Sequence, residues 1–142
     1  MAERQVRMSS RVWKVALLVS VALMFLLNIA LGQDTGPVFS VKDRELIEAY
    51  YNRLIGTLAP GSLDRSAFPL GVEKALVKGS HVPMQLEREL EPLPAKLESQ
   101  LGLITGDYGR YTLGRHVILI RKGDLAIADI LKNVAVKEKP KS

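Results

Sequence analysis

The 142 residues predict one α+β domain behind an N-terminal, membrane-directed segment. Three observations carry this: an uncharged apolar run behind four basic residues, helical periodicity followed by short proline-led units, and a change to strand periodicity at Tyr108. The chain is long enough for one compact domain and too short for two. It has no cysteine, which excludes disulfide frameworks, thiolate metal sites and cysteine nucleophiles, so the domain must rely on core packing.

Arg4, Arg7, Arg11 and Lys14 precede an uncharged run from Val15 to Leu31, the basic and apolar regions of an export signal. Ala30 and Gly32 are small residues at the two positions a signal peptidase reads, which places a cut between Gly32 and Gln33. The run is 17 residues long, also enough for a short uncleaved anchor. Two products are therefore open, a soluble periplasmic domain and one anchored in the inner membrane through residues 15–31. Both put the following chain outside the cytoplasm, because the positive residues stay inside.

The whole chain carries a formal net charge of +5. Residues 1–32 hold four of the basic groups and one acidic group, so the remainder is about +2. The high isoelectric point belongs mostly to the targeting segment, and no basic stripe interleaved with aromatics supports a nucleic-acid partner.

Residues 33–39 read as a linker, 40–134 as the folded domain and 135–142 as a basic, flexible tail. Ser40 followed by Asp43 forms a variant capping box. Leu46, Ile47, Tyr50, Tyr51, Leu54 and Ile55 recur at helical spacing, predicting an amphipathic helix from Val41 to Thr57. The paired tyrosines are expected in the core rather than as a ligand platform.

A short repeat follows. Pro69-x-x-Val72-Glu73-x-x-Leu76, Pro83-x-x-Leu86-Glu87-x-x-Leu90 and Pro94-x-x-Leu97-Glu98-x-x-Leu101 share one pattern, each behind an apolar residue: Phe68, Val82 or Leu93. Pro60-x-x-Leu63-Asp64-x-x-Ala67 is a degenerate forerunner. Proline suits a helix start, and positions three and seven residues later share a face. Each unit is thus a short helix with one apolar side, too short to stand alone in water.

From Tyr108 the pattern is that of strands: Arg110 to Leu113, His116 to Arg121 and Leu125 to Ile130. Gly114-Arg115 fits a two-residue hairpin and Lys122-Gly123-Asp124 a three-residue one. A three-stranded antiparallel meander is expected.

The paired tyrosines, the unit from Phe68 to Gly79, and the ending Leu113-Gly114-Arg115-His116-Val117-Ile118-Leu119-Ile120 with Ala128-Asp129-Ile130 resemble the RcnB-type periplasmic family, most of all its CigR branch of anti-virulence regulators. The similarity spans roughly residues 38–134. It departs from the family pattern in the second and third units, which lack the glycine, and in the turn Lys122-Gly123-Asp124. The resemblance implies an exported, non-enzymatic helper or regulator, with nickel/cobalt homeostasis in one branch and virulence control in another.

The residues themselves also argue against catalysis. The only histidines, His81 and His116, are not paired in sequence with each other or with a serine nucleophile. Glu87, Glu89, Glu91 and Glu98 lie on short polar faces, where solvated surface is the usual meaning. Two histidines 35 residues apart form no ligand motif, so no metal or other cofactor is expected; His81 and His116 are the ligands to test for the nickel/cobalt alternative.

Val117, Ile118, Leu119 and Ile120 are consecutive apolar residues, although a strand sends alternate side chains to opposite faces. Helices on one side only would leave an apolar face open for an envelope or membrane protein, or for a second copy of the chain, with Ile118, Leu119 and Ile120 as the partner-binding candidates. Alternatively the proline-led helices cover both faces. For topology, a C-terminal alkaline phosphatase fusion is expected to be active, with a mature N-terminus at Gln33 if the signal is cleaved. Reporter activity in the cytoplasm would overturn the address.

Overall fold

Helix α1 spans Val41–Thr57, the range its apolar spacing predicts. The Ser40 hydroxyl accepts the Asp43 N–H at 3.0 Å, and the Asp43 carboxylate accepts the Ser40 N–H in return, the reciprocal bonds of a capping box. Ile47 and Tyr51 are buried on the inner side of the helix. These features belong to a computed structural model that describes residues 36–64 and 67–139. The expected signal or anchor, residues 1–32, lies outside the described residues. Among the described residues no helix is long and apolar enough to cross a membrane.

The three full proline-led units each form one short helix: α2 at Leu70–Ala75, a 3₁₀ helix at Met84–Glu89 and α3 at Ala95–Glu98. Each proline stands at the cap, with φ of −50°, −56° and −52° respectively, so its fixed ring geometry starts the turn and its missing N–H costs nothing. The repeated apolar positions all turn inward. Leu76, Val82, Leu86, Leu93, Leu97 and Leu101 are buried, and Phe68, Val72 and Leu90 pack against the same clusters.

The degenerate forerunner behaves differently. Leu63–Asp64 is a short strand, β1, paired antiparallel with β6 at Lys137–Glu138. This corrects the expectation of a flexible tail over residues 135–139, because Ala135 is buried in the core and the Lys139 N–H donates to the Ser62 carbonyl at 2.7 Å; the rest of the expected tail, residues 140–142, lies outside the described residues. Backbone groups at 62–64 need partners, and the lysine-rich ending supplies them.

The main sheet has four antiparallel strands in the order β2-β3-β4-β5: β2 at Leu90–Pro92, β3 at Tyr108–Leu113, β4 at His116–Arg121 and β5 at Ile127–Leu131. The last three form the predicted meander. The fourth strand grows from the end of the second proline-led unit, where Leu90 pairs with Leu113 and Pro92 with Tyr111. Proline is tolerated there because β2 is an edge. Leu113 pairs with His116 around Gly114-Arg115, and Gly114 takes φ 57° with the Phe68 ring so close that a Cβ would lie 2.7 Å from it. The β4–β5 connection is longer than expected, since Leu125 adopts φ 58° and β5 starts only at Ile127.

The sheet is covered on both faces. Val117, Leu119 and Leu131 point to a cluster with Phe39, Ile47, Tyr51, Leu93, Leu97 and Leu101, from α1 and the third unit. Ile118, Ile120, Leu113 and Ile127 point to the opposite cluster with Leu76, Val82 and Leu86, from the first two units. The repeat is therefore split across the sheet. Ile118, Leu119 and Ile120 are each no more than 1% exposed, which corrects their assignment as a partner-binding face: burying alternate side chains on both sides leaves the strand no free surface. Ile118→Asp and Leu119→Asp are both expected to unfold the domain, each leaving an unpaired buried charge that costs several kcal/mol. Circular dichroism melts check this, and a native-like melt for either variant would contradict the two-sided core.

Candidate interaction site

Polar groups enter the interior on both faces of the sheet, and on each the glutamate of a proline-led unit meets a basic residue of the sheet. On the α1 face, Arg110 of β3 has a side chain only 3% exposed and donates to Glu98 at 2.6 Å. It also donates to the Gly102 carbonyl and lies 3.8 Å from Asp43. Asp43 accepts the Gly102 N–H at 2.9 Å. Burial alone would raise the Asp43 pKa, but the Gly102 and Ser40 hydrogen bonds and the Arg110 charge together hold it below the usual carboxylate range. One cap residue thereby ties α1 to the third unit and the sheet. Beside it, Asp129 of β5 accepts the Phe39 N–H at 2.9 Å and Arg44 of α1 at 2.7 Å.

On the other face, His116 Nε2 lies 2.6 Å from Glu73 and Nδ1 accepts the Asn133 N–H at 3.1 Å. With Nδ1 accepting, the proton sits on Nε2 and is donated to the carboxylate. Burial lowers the His116 pKa, and the Glu73 hydrogen bond only partly opposes this. His81 is elsewhere: its side chain is 63% exposed and 3.7 Å from Asp124. The two histidines named as ligands to test thus have different surroundings, and both nitrogens of His116 are engaged. Asp124 in turn accepts from Nε and Nη2 of Arg121 at 2.9 and 2.6 Å, which holds its carboxyl well below the usual range.

Two of the glutamates expected as plain surface have partners. Glu98 holds Arg110, and Glu91 meets Lys137 at 2.8 Å. The repeat carries the signal for this, since Glu73 and Glu98 occupy the same position of their units, but which cation each would meet depends on strand register.

One surface feature with a defined shape is a groove beside α1, of about 190 Å³. Its wall is one stripe of the helix, Leu46, Ala49, Tyr50, Arg53, Leu54 and Thr57, and Lys96 and Gln100 of the third unit stand opposite. The tyrosine pair divides its labour. Tyr51 is in the core, where burial above all, helped by Tyr50 and Glu91, pushes its pKa up to about 12. Tyr50 is half-buried, meets Tyr51 edge to face with ring centroids 5.2 Å apart, and presents its other side to the groove. Arg53 and Lys96 are exposed, and neither forms an ion pair among the described residues. Sequence periodicity identified the stripe of Leu46, Tyr50 and Leu54, but not that a facing helix leaves it half open.

No family profile matches the chain, and no curated protein sequence matches it. Among solved structures it is similar to the C-terminal domain of the inner membrane protein CigR from Salmonella enterica, at 21% identity and a TM-score of 0.50, over 72% of this chain and 96% of that one. The likeness is one of fold: a CigR-like mixed α and β arrangement with antiparallel sheets.

The buried histidine gives the stability a pH dependence. Because the folded-state pKa is depressed below 6.5, the unfolded chain takes up the proton more readily. Stability is then fully present above about 6.5 and falls as pH drops through that value toward the depressed one. His116→Gln is expected to flatten this slope and to lower stability at neutral pH by about 1–3 kcal/mol through loss of buried hydrogen bonds. Urea melts at neutral and mildly acidic pH measure both, and an unchanged slope would show that another group sets it.

Proposed function

We propose that this chain is an exported, non-enzymatic envelope protein, held at the outer face of the inner membrane by residues 15–31, that modulates a protein partner docked in the groove beside α1. The observation that carries the reading is the groove itself. An apolar floor of Leu46, Tyr50 and Leu54 is flanked by two exposed cations, Arg53 and Lys96, that form no ion pair among the described residues. From Leu46 to Thr57 the wall runs 12 residues, about 16 Å from first to last at 1.5 Å per step. That length suits two to three turns of a partner helix whose apolar face carries carboxylates at its margins.

The fold likeness to a domain of an inner membrane protein supports the same location, as do the basic start and the apolar run. The sequence resemblance to the CigR branch supports a regulatory role within the wider RcnB-type family. Elsewhere the interior charges are engaged in holding elements together: Arg110 with Glu98, Arg44 with Asp129, His116 with Glu73. A nickel or cobalt role would need a site other than His116, whose nitrogens are occupied.

Arg53→Glu combined with Lys96→Glu, and separately Leu54→Asp, are expected to abolish recovery of the partner crosslinked in envelope membranes while leaving the melting curve near that of the parent. Met84→Asp, at an exposed site on another unit, should leave recovery intact. Equal recovery with all three would remove the groove from the function.

A further inference from the structure

Six large apolar side chains are exposed among the described residues, and three of them, Val38 at 53%, Val41 at 74% and Leu103 at 104%, gather at the N-terminal end of α1. Val38 and Val41 flank the Ser40 cap. Leu103 joins them from the far side of the sequence because Gly102 donates to Asp43 in the first turn of α1. The bond that anchors the third unit thus also sets an apolar residue beside the helix start. Nothing in the packing calls for these three to be apolar, since each is exposed and belongs to neither core cluster.

The chain itself says what lies next to this pole. Gly36 already packs on the domain, where a Cβ would lie 3.5 Å from Ala128 and 3.7 Å from the Tyr108 hydroxyl. The apolar run ends at Leu31, five residues earlier. Fully extended, five residues span no more than about 18 Å, whereas a domain of about 100 residues is roughly 30 Å across. A domain tethered this way through an anchored run has its α1 start within reach of the lipid surface. Charge at the pole is close to balanced, with exposed Lys42 followed by exposed Glu45, while Asp43 and Arg44 are engaged in bonds of their own.

We infer that Val38, Val41 and Leu103 form a bilayer-contacting pole, through which the domain rests on the outer leaflet with a fixed orientation. The contact is apolar rather than electrostatic, so it needs no anionic lipid and survives added salt. It leaves the mid-helix groove clear for a partner. The inference rests on the anchored form proposed above, and does not depend on what the groove binds.

The lack of cysteine makes the test direct. The full chain, with residues 15–31 intact, is reconstituted in phosphatidylcholine vesicles bearing nitroxide-labelled lipid, with a fluorophore at Leu103→Cys or Val38→Cys. Met84→Cys, 82% exposed on the unit covering the opposite face of the sheet, is the control. Quenching is expected to be severalfold stronger at positions 103 and 38 than at 84, to persist in high salt, and to drop at 38 when Val41→Glu and Leu103→Glu are combined. Chains that fail to float with the vesicles would overturn the anchored form and the pole together. Chains that float but are quenched equally at all three positions, or remain unquenched at 103, would overturn the pole while leaving the anchor standing.

Discussion

Four consecutive apolar residues on β4, Val117 to Ile120, are all buried, and the rest of the fold is arranged to cover the sheet on two sides. A strand of this composition is stable only if both sets of alternate side chains leave water, at a gain of about 25 cal/mol per Å² of apolar surface buried. One helix cannot do this. α1 with the third proline-led unit closes the side of Val117 and Leu119, and the first two units close the side of Ile118 and Ile120. Short segments that could not persist in isolation become regular structure because β4 offers each a surface.

The same division explains where charge is tolerated inside. A buried arginine or histidine is costly unless paired and hydrogen-bonded. Arg110 and His116 lie on opposite faces of the sheet, and each finds the glutamate of the unit covering its own face, Glu98 or Glu73. The apolar positions of a unit fix it against the sheet, and its glutamate then selects the placement in which it hydrogen-bonds the buried arginine or histidine. Asp43 extends the logic by serving its own helix cap and the Gly102 backbone at once, so the start of α1 and the end of the third unit are one structural joint.

With both faces of β4 closed, the surfaces that remain are by-products of that closure. α1 is wider than α3 can cover, so Leu46, Tyr50 and Leu54 stay half-buried along a groove. The joint at Asp43 brings Leu103 beside Val41 and leaves both in solvent. The two regions differ in charge. The groove is flanked by two exposed cations and suits a partner with carboxylates, while the pole is nearly neutral and suits lipid.

Local features of this protein were legible in the residues. The limits of α1 follow from its cap and spacing, the three short helices from their prolines, and the β3–β4 hairpin from Gly114, because each rests on contacts within a few positions in sequence. What the tertiary structure alone decided is every property that depends on who faces whom. Alternation on β4 required two covers or one open face, and only the packing chose two, moving Ile118, Leu119 and Ile120 from a surface into the core. β2 was invisible because three residues ending in proline acquire strand character only from their pairing with β3. The ordering of Ala135 to Lys139 was hidden for a similar reason, its partner lying some 75 residues away at Ser62 to Asp64. Sequence spacing reports local geometry, whereas the pairing of Glu73 with His116 and of Glu98 with Arg110, and with it the groove and the pole, is settled by long-range register.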